Sequence, residues 1–527
     1  MIIPINGVGD VGLVLDREPH ELPVNAWSAG ENVRFKDGYV EKFKGHAQMA
    51  AASVAPYFLL PVQSGATYFW VYPGLAAVYV WDGTTHTDIT NAGGAYSATA
   101  DLNWTGGVIA GIPVLNNAVD HPQMWATVSA GTKLTDLTYV AGSSTWADVN
   151  YLCGSLRAFK NFGIALDVTK SGTRYGNLVK WSHPAVPGAV PASWDETDAT
   201  KDAGEYAIGE DGDFCVDSAR LRDTHVIYKE FSCWGMQYIG GAEVFRFFPI
   251  FNQIGTPTRR CAVQIRYARH VVFTGDDYVV HDGTNAQSVL DRRMRKLLAS
   301  TIDPSYYSRS FVAHNPVNYE AWLCFPVTGN AFPSRAIVWN YKDNVLGIRD
   351  LENVAHLEFG ISQLTGDTWD SDSSTWDSDS SVWDARTYNP AQRQFVSANP
   401  ADSSLDNFGT TNQFGGTSFT SYVERTGLAI PLKVGAPPDM STKKFCRKLW
   451  PRIEGTTGGV VTVEVGSQEY VGGPVSWKPA RNYTIGTTRS VDVRCTGRLL
   501  AARFKSTSDI DWRLHGYEMD VVPAGRA

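Results

Sequence analysis

Three sets of residues in this 527-residue sequence have types and spacings that chemistry could use. Gly7, Gly9 and Gly12 spell G-x-G-x-x-G, which lays backbone against a dinucleotide pyrophosphate when it joins a buried strand to a helix. Only Met1 to Asn6 precede these glycines, with Pro4 among them, and Pro19 follows soon after. Neither a central strand nor a crossover helix has room, so no cofactor is expected. The second set is the acidic repeat "TWDSDSSTWDSDSSVWDARTY", with Trp369, Trp376 and Trp383 in a register of seven. Asp370, Asp377 and Asp384 follow the tryptophans, and Asp372 and Asp379 follow one serine later. Alternating carboxylates offer hard oxygen ligands to Ca²⁺, but the repeat lacks the Gly and bidentate Glu of a helix-loop-helix calcium site. Ser and Asp compete for backbone hydrogen bonds, so the repeat reads as stacked turns or a projecting acidic loop, with no metal expected.

The third set is basic. Arg292, Arg293, Arg295 and Lys296 form one cluster, and Lys443, Lys444, Arg447, Lys448 and Arg452 form another. Both could touch phosphates, yet in a chain of net charge −8 a solvated face or a subunit contact is the simpler reading. Catalytic patterns are thin. The 11 histidines show no H-x-x-x-H spacing, and there is no G-x-S-x-G elbow and no phosphate loop. The adjacent carboxylates Asp276–Asp277 and Glu210–Asp211 would point to opposite faces of a strand, which suits turns better than glycoside hydrolysis. No catalytic residue is assigned, and the chain does not read as an enzyme.

The elements that must carry these residues are strands. Charged residues make up 19% and aromatics 12%, with 49 Gly and 23 Tyr, a balance rich in strand and turn formers. Residues 1–50 read as an extended Gly- and Pro-bearing arm ending in a hairpin, where Val33 and Phe35 alternate with polar residues, Lys36-Asp37-Gly38 turns, and Tyr39-Val40 resumes. Residues 51–360 repeat strand, Gly or Asp turn, strand. Val80-Trp81-Asp82-Gly83-Thr84 and Val280-His281-Asp282-Gly283-Thr284 end two units alike, as blades of an irregular β-propeller would. The apolar spacing of Leu290, Met294, Leu297 and Leu298 predicts one helix in "SVLDRRMRKLLAST". Residues 361–415 hold the Ser/Asp/Trp repeat as a loop region, and 416–527 return to alternating strands, a C-terminal β-sandwich. The fold class is all-β. Seven dispersed cysteines read as buried free thiols of a reducing compartment, and the sequence carries no export signal and no membrane span.

Asn32 to Lys42 ("NVRFKDGYVEK"), the Trp-Asp-Ser-Asp repeat, and Ala502 to Arg526 ("ARFKSTSDIDWRLHGYEMDVVPAGR") resemble the tail nozzle proteins, or tail tubular protein B, of short-tailed bacteriophages. The resemblance covers the first 50 and last 80 residues or so. It implies a structural virion protein of the short tail, assembled in the host bacterial cytoplasm. It further implies a homo-oligomeric ring, hexameric in the family, that extends the DNA channel, retains the packaged genome and gates its ejection. The implied partners are the tail adaptor, tail fibre or spike proteins, and double-stranded DNA passing through the lumen without sequence recognition. On this reading Trp369, Asp370, Asp372, Trp376, Asp377, Asp379, Trp383 and Asp384 are the candidate channel or gate loop. Arg34, Phe35, Lys36 and Asp37 are a candidate subunit or adaptor contact. The alternatives are a propeller-type glycan hydrolase and a carbohydrate- or receptor-binding tail protein with the Trp repeat as sugar platform.

Overall fold

Alternation of apolar and polar residues sets the local structure: Val491, Val493 and Cys495 are buried while Asp492, Arg494 and Thr496 between them are exposed. Strands of this kind, separated by Gly- and Asp-bearing turns, build most of the described chain. The computed structural model describes residues 1–65, 67–209, 212–241, 243–361, 393–431 and 438–525.

Six four-stranded antiparallel sheets, and one four-strand run within a larger sheet, follow one another as the seven blades of a β-propeller. Their inner strands are Leu60–Ser64, Thr105–Ile109, Tyr151–Phe159, Cys215–Leu221, Ala262–Ile265, Phe311–Asn315 and His356–Ile361. Each contacts the next, and the first meets the last, so the ring is closed. The two matching sequence endings are the same turn in two blades. In blade one, Asp82 Oδ1 accepts from the N–H groups of Thr84 and Thr85 at 2.9 and 2.7 Å. In blade five, Asp282 Oδ1 accepts from Thr284 and Asn285 at 2.8 and 2.7 Å. A short acidic side chain replaces a backbone acceptor at the bend before each fourth strand.

Blade seven differs in composition. Its inner three strands are His356–Ile361, Arg393–Asn399 and Ser404–Phe408, and its outer strand is His46–Ala51 from the N-terminal arm. The propeller therefore continues to Phe408, through part of the span read from sequence as loop, because Phe395, Val396 and Leu405 bury into the blade core.

The C-terminal β-sandwich pairs two sheets over a shared core. One carries Trp512–Pro523, Lys444–Gly455 and Val491–Gly497; the other carries Ser421–Leu428, Leu499–Ser506 and Val460–Gln468. The arm is threaded through both. Ile2–Asn6 pairs with Trp512–Pro523, and Ala29–Glu31 pairs with Ser421–Leu428. The hairpin Val33–Lys36 and Tyr39–Lys42 then links blade six, through Val33 and Ile348, to Trp512–Pro523, through Val40 and Leu514, giving one ten-stranded sheet across propeller and sandwich. Asp37 and Gly38 at its tip have φ of 48° and 83°, the left-handed pair that a two-residue hairpin turn requires.

The expected helix is shorter than its apolar pattern. Only Arg295–Thr301 is helical, because Arg292 sits at φ 57° and turns the preceding segment out of register. Leu290, Met294 and Leu298 still enter the core. All seven cysteines are buried and unpaired. No helix among the described residues is long and apolar enough to cross a membrane.

Candidate functional site at the propeller axis

A buried polar cluster gathers residues from the inner strands and the segments leading into them. Arg260 leads into blade five, and its backbone N–H donates to Asp217 Oδ2 of blade four at 2.7 Å. Its Nη1 donates to the Tyr57 carbonyl ahead of blade one at 3.3 Å, and its Nη2 donates to Asn103 Oδ1 ahead of blade two. Blades five and two lie on opposite sides of a seven-membered ring, so this bond crosses the axis. Two further contacts cross with it. Asn103 Nδ2 donates to the Ser308 carbonyl at 3.0 Å, and Arg309 Nε donates to Asp101 Oδ1 at 2.8 Å. The Arg260 guanidinium also lies 5.8 and 5.7 Å from the ring centres of Phe58 and Phe311. Side chains thus close this end of the axis.

Asp217 anchors the plug. Arg157 grips it at both oxygens, Nε to Oδ1 at 2.7 Å and Nη2 to Oδ2 at 2.6 Å, a bidentate pair. Ser155 Oγ and the Ser218 N–H donate to Oδ1 at 2.9 and 2.8 Å. Burial alone would raise the Asp217 carboxyl, but the Arg157 charge and these donors hold it down at about 2. Across the ring, burial pushes Glu358 of blade seven up to about 7, against the pull of the Phe359 N–H, Arg157 and Arg260.

One carboxyl raised and one lowered is the electrostatic pattern of a hydrolase acid and its ionised partner. Asp217 cannot fill the second role. Its two oxygens offer about four lone-pair sites, and five donors already occupy them. The other converging carboxylates, Glu196 and Glu205 in blade three, are likewise engaged. Lys170 Nζ bonds them at 2.9 and 2.6 Å, and buried Lys180 bonds both. Burial opposes ionisation of Glu196, yet the two lysines hold it at about 2. Among the described residues no three His, Cys, Asp or Glu side chains converge as a metal site would need.

The residues singled out from sequence lie elsewhere. Gly7, Gly9 and Gly12 serve packing: a Cβ on Gly9 would lie 2.3 Å from the Tyr39 carbonyl oxygen, and the Gly9 N–H donates to the Gly38 carbonyl at 3.0 Å. Phe35 is in the chain's own core, and Arg34 pairs with the fully buried Glu320 at 2.5 Å. Lys36 and Asp37 are at the hairpin tip, where Asp37 pairs with Lys342 at 2.8 Å and its N–H donates to Asp343 at 3.0 Å. Trp369, Asp370, Asp372, Trp376, Asp377, Asp379, Trp383 and Asp384 lie outside the described residues, as do Glu210 and Asp211. The basic clusters are largely neutralised within the chain. Arg295 pairs with Asp276, Arg447 with Asp520, Lys448 with Asp492 and Lys443 with Glu469, while Lys444 is buried against three carbonyls.

Sequence reasoning missed the axial cluster and a second buried one. Tyr228 Oη lies 2.6 Å from His270 Nδ1 and 2.7 Å from His281 Nε2. His270 Nε2 faces the Arg220 carbonyl at 2.7 Å, so that nitrogen carries the proton and Nδ1 accepts from the tyrosine. The tyrosine oxygen then accepts from His281 Nε2–H, leaving His281 Nδ1 to accept the Gly283 N–H at 3.2 Å. The available signal was weak: Asp217 is one of three polar residues in the strand "CVDSARL", and His281 ends the apolar strand "YVVH".

No protein-family model matches this chain, and no curated protein matches it. Among solved structures it is similar to PorZ, described as an essential bacterial surface component of the type-IX secretion system of Porphyromonas gingivalis. That match has 9% identity and a TM-score of 0.35, and covers 82% of this chain and 54% of PorZ. It is also similar to YCF48 bound to D1 peptide, at 8% identity and a TM-score of 0.35, covering 68% of this chain and 94% of that one. This chain spans about half the length of PorZ, and its own strand pairing, seven blades and a sandwich, is what establishes the fold.

Proposed function

We propose that this chain is a structural virion protein of a short bacteriophage tail, a subunit of the nozzle ring that extends the DNA channel, retains the genome and releases it on ejection. One observation carries the reading. Two of the three segments of sequence that resemble nozzle proteins, near residues 32–42 and 502–526, are neighbouring strands of one sheet, with Val40 opposite Leu514 and Glu41 opposite Arg513. Arg513 Nε and Glu41 Oε2 close that contact at 2.9 Å. Segments far apart in the chain thus form a single module, as expected if both belong to one inherited architecture.

The plug constrains how such a protein handles DNA. A duplex cannot thread an axis closed by Arg260, Asn103 and Arg309, so the lumen has to lie between copies, as in a closed ring, hexameric in this reading. A net charge of −8 suits a channel wall that must not grip phosphates. The tail adaptor and the fibre or spike proteins are the partners, and the reading includes no catalytic step. Native mass and negative-stain images of the purified chain, alone and with adaptor-bearing particles, test it. Rings with a central hole, or density at the distal end of the tail, are expected. A monodisperse monomer that never joins the tail axis overturns it.

A further inference from the structure

Between the outer edges of blades three and four lies a groove of about 670 Å³, within the range of small-molecule and oligosaccharide sites. Its floor is aromatic. Tyr206, on the edge strand Gly204–Ala207, stacks on Phe247 of the edge strand Phe245–Phe251, with ring centres 5.0 Å apart and planes 12° apart. Trp181 packs against Phe247 at 5.8 Å and against Phe245 at 5.4 Å. Its indole is fixed: Nε1 donates to the Asp202 carbonyl at 2.9 Å, and a Cβ on Gly204 would lie 2.5 Å from the ring. Tyr206 remains 53% exposed, which is unusual for so large a ring in a stack that spans two blades.

The polar wall is formed by the loop carrying Asp198, Lys201 and Asp202, faced by Glu243 and Arg246. Asp202 is held in place while its carboxylate stays half exposed. Its backbone N–H donates to His183 Nδ1 at 3.0 Å, and its Oδ2 lies 3.9 Å from that nitrogen with the side chain 52% exposed. With Glu196 the lining holds four carboxylates against two cations, which repel a polyphosphate, so the flat stack does not suit nucleic-acid bases, which arrive with their backbone. Flat aromatic faces beside carboxylate acceptors suit a ligand with apolar C–H faces and a rim of hydroxyl donors.

We propose that this inter-blade groove binds a neutral hexose-based oligosaccharide, with Tyr206 as the stacking platform and Asp202 as a hydroxyl acceptor. Nothing in a nozzle ring requires such a site, so the inference stands or falls separately from that reading. Saturation-transfer NMR on the full chain with maltoheptaose, cellohexaose and N-acetylchitohexaose, each at millimolar concentration, tests it, with a thymidine oligonucleotide as the rival probe. The expected result is transfer to at least one glycan, affinity lowered about tenfold or more in Tyr206→Ala, and affinity retained in Tyr206→Phe. If Tyr206→Ala does not fold, Asp202→Asn on the exposed loop serves instead, and weaker glycan binding is again expected. No transfer to any of the three glycans, unchanged binding in the folded variant, or transfer to the oligonucleotide alone overturns the proposal.

Discussion

Arg260 and Asn103 are joined by a hydrogen bond that runs from blade five to blade two, and the two sides of the propeller ring are tied through it. Removing the guanidinium in Arg260→Leu leaves the Asn103 oxygen and the Tyr57 carbonyl without this donor in a buried setting. A loss of about 2–4 kcal/mol is expected from the urea midpoint. In a double-mutant cycle, Arg260→Leu with Asn103→Ala should cost less than the sum of the single changes, because both remove one bond. Additive costs would show that the cross-axis bond contributes nothing.

Glu358 makes stability depend on pH in an unusual direction for a carboxylate. Its folded pKa, about 7, lies above the ordinary value, so its neutral form is favoured in the fold. The associated stability is present below the ordinary carboxylate pKa and is lost as pH rises through about 7. Glu358→Gln, which stays neutral, should therefore be more stable than the parent by about 1–3 kcal/mol near pH 8.5 and equal to it near pH 4. Equal stability at both pH values refutes the assignment.

The Tyr228 cluster gives the opposite dependence. Burial lowers His270 to about 4 and His281 to about 3, so both are neutral in the fold, and their charging as the pH drops from the ordinary histidine value toward 4 removes stability. Tyr228→Phe deletes the hydroxyl that connects the two rings and is expected to cost about 2–3 kcal/mol at neutral pH. Chemical-shift titration of the imidazoles should show both rings neutral at pH 6 (about half a unit below the ordinary value) in the parent chain. A protonated imidazole there would overturn the proton assignment.

Gly9 is the member of the glycine triplet with the least room. In Gly9→Ala the new Cβ meets the Tyr39 carbonyl oxygen at 2.3 Å, so the arm must lift from the hairpin. A loss of about 2 kcal/mol or more and faster proteolysis near the N-terminus are expected. Protease resistance equal to the parent would show that the arm can shift without cost.

Strand-by-strand features were legible in the sequence where turn chemistry and alternation are local. The Asp82 and Asp282 turns, the Asp37-Gly38 hairpin and the sandwich strand around Val491 and Val493 all follow from residues within a few positions of one another. The propeller was legible as a theme. Its blade number was not, because Glu196, Glu205 and the long insertion before Gly204 stretch blade three, and because His46–Ala51 completes a blade whose other strands come some 300 residues later. The axial cluster was illegible for the same reason. Arg157, Asp217, Arg260 and Glu358, from four different blades, meet only when all seven blades close into a ring, and no short-range spacing encodes that.

The pairing of the first strand with the last has a consequence for synthesis. The Met1 amino group and Asp520 lie 519 positions apart, and bond at 3.3 Å. A ribosome releases Ile2–Asn6, Ala29–Glu31 and His46–Ala51 long before their partners exist, so each waits as an unpaired edge until its own partner, Trp512–Pro523, Ser421–Leu428 or Ser404–Phe408, emerges. Assembly of these sheets therefore waits on strands made much later, and a chain truncated ahead of Trp512 leaves Ile2–Asn6 as an exposed edge.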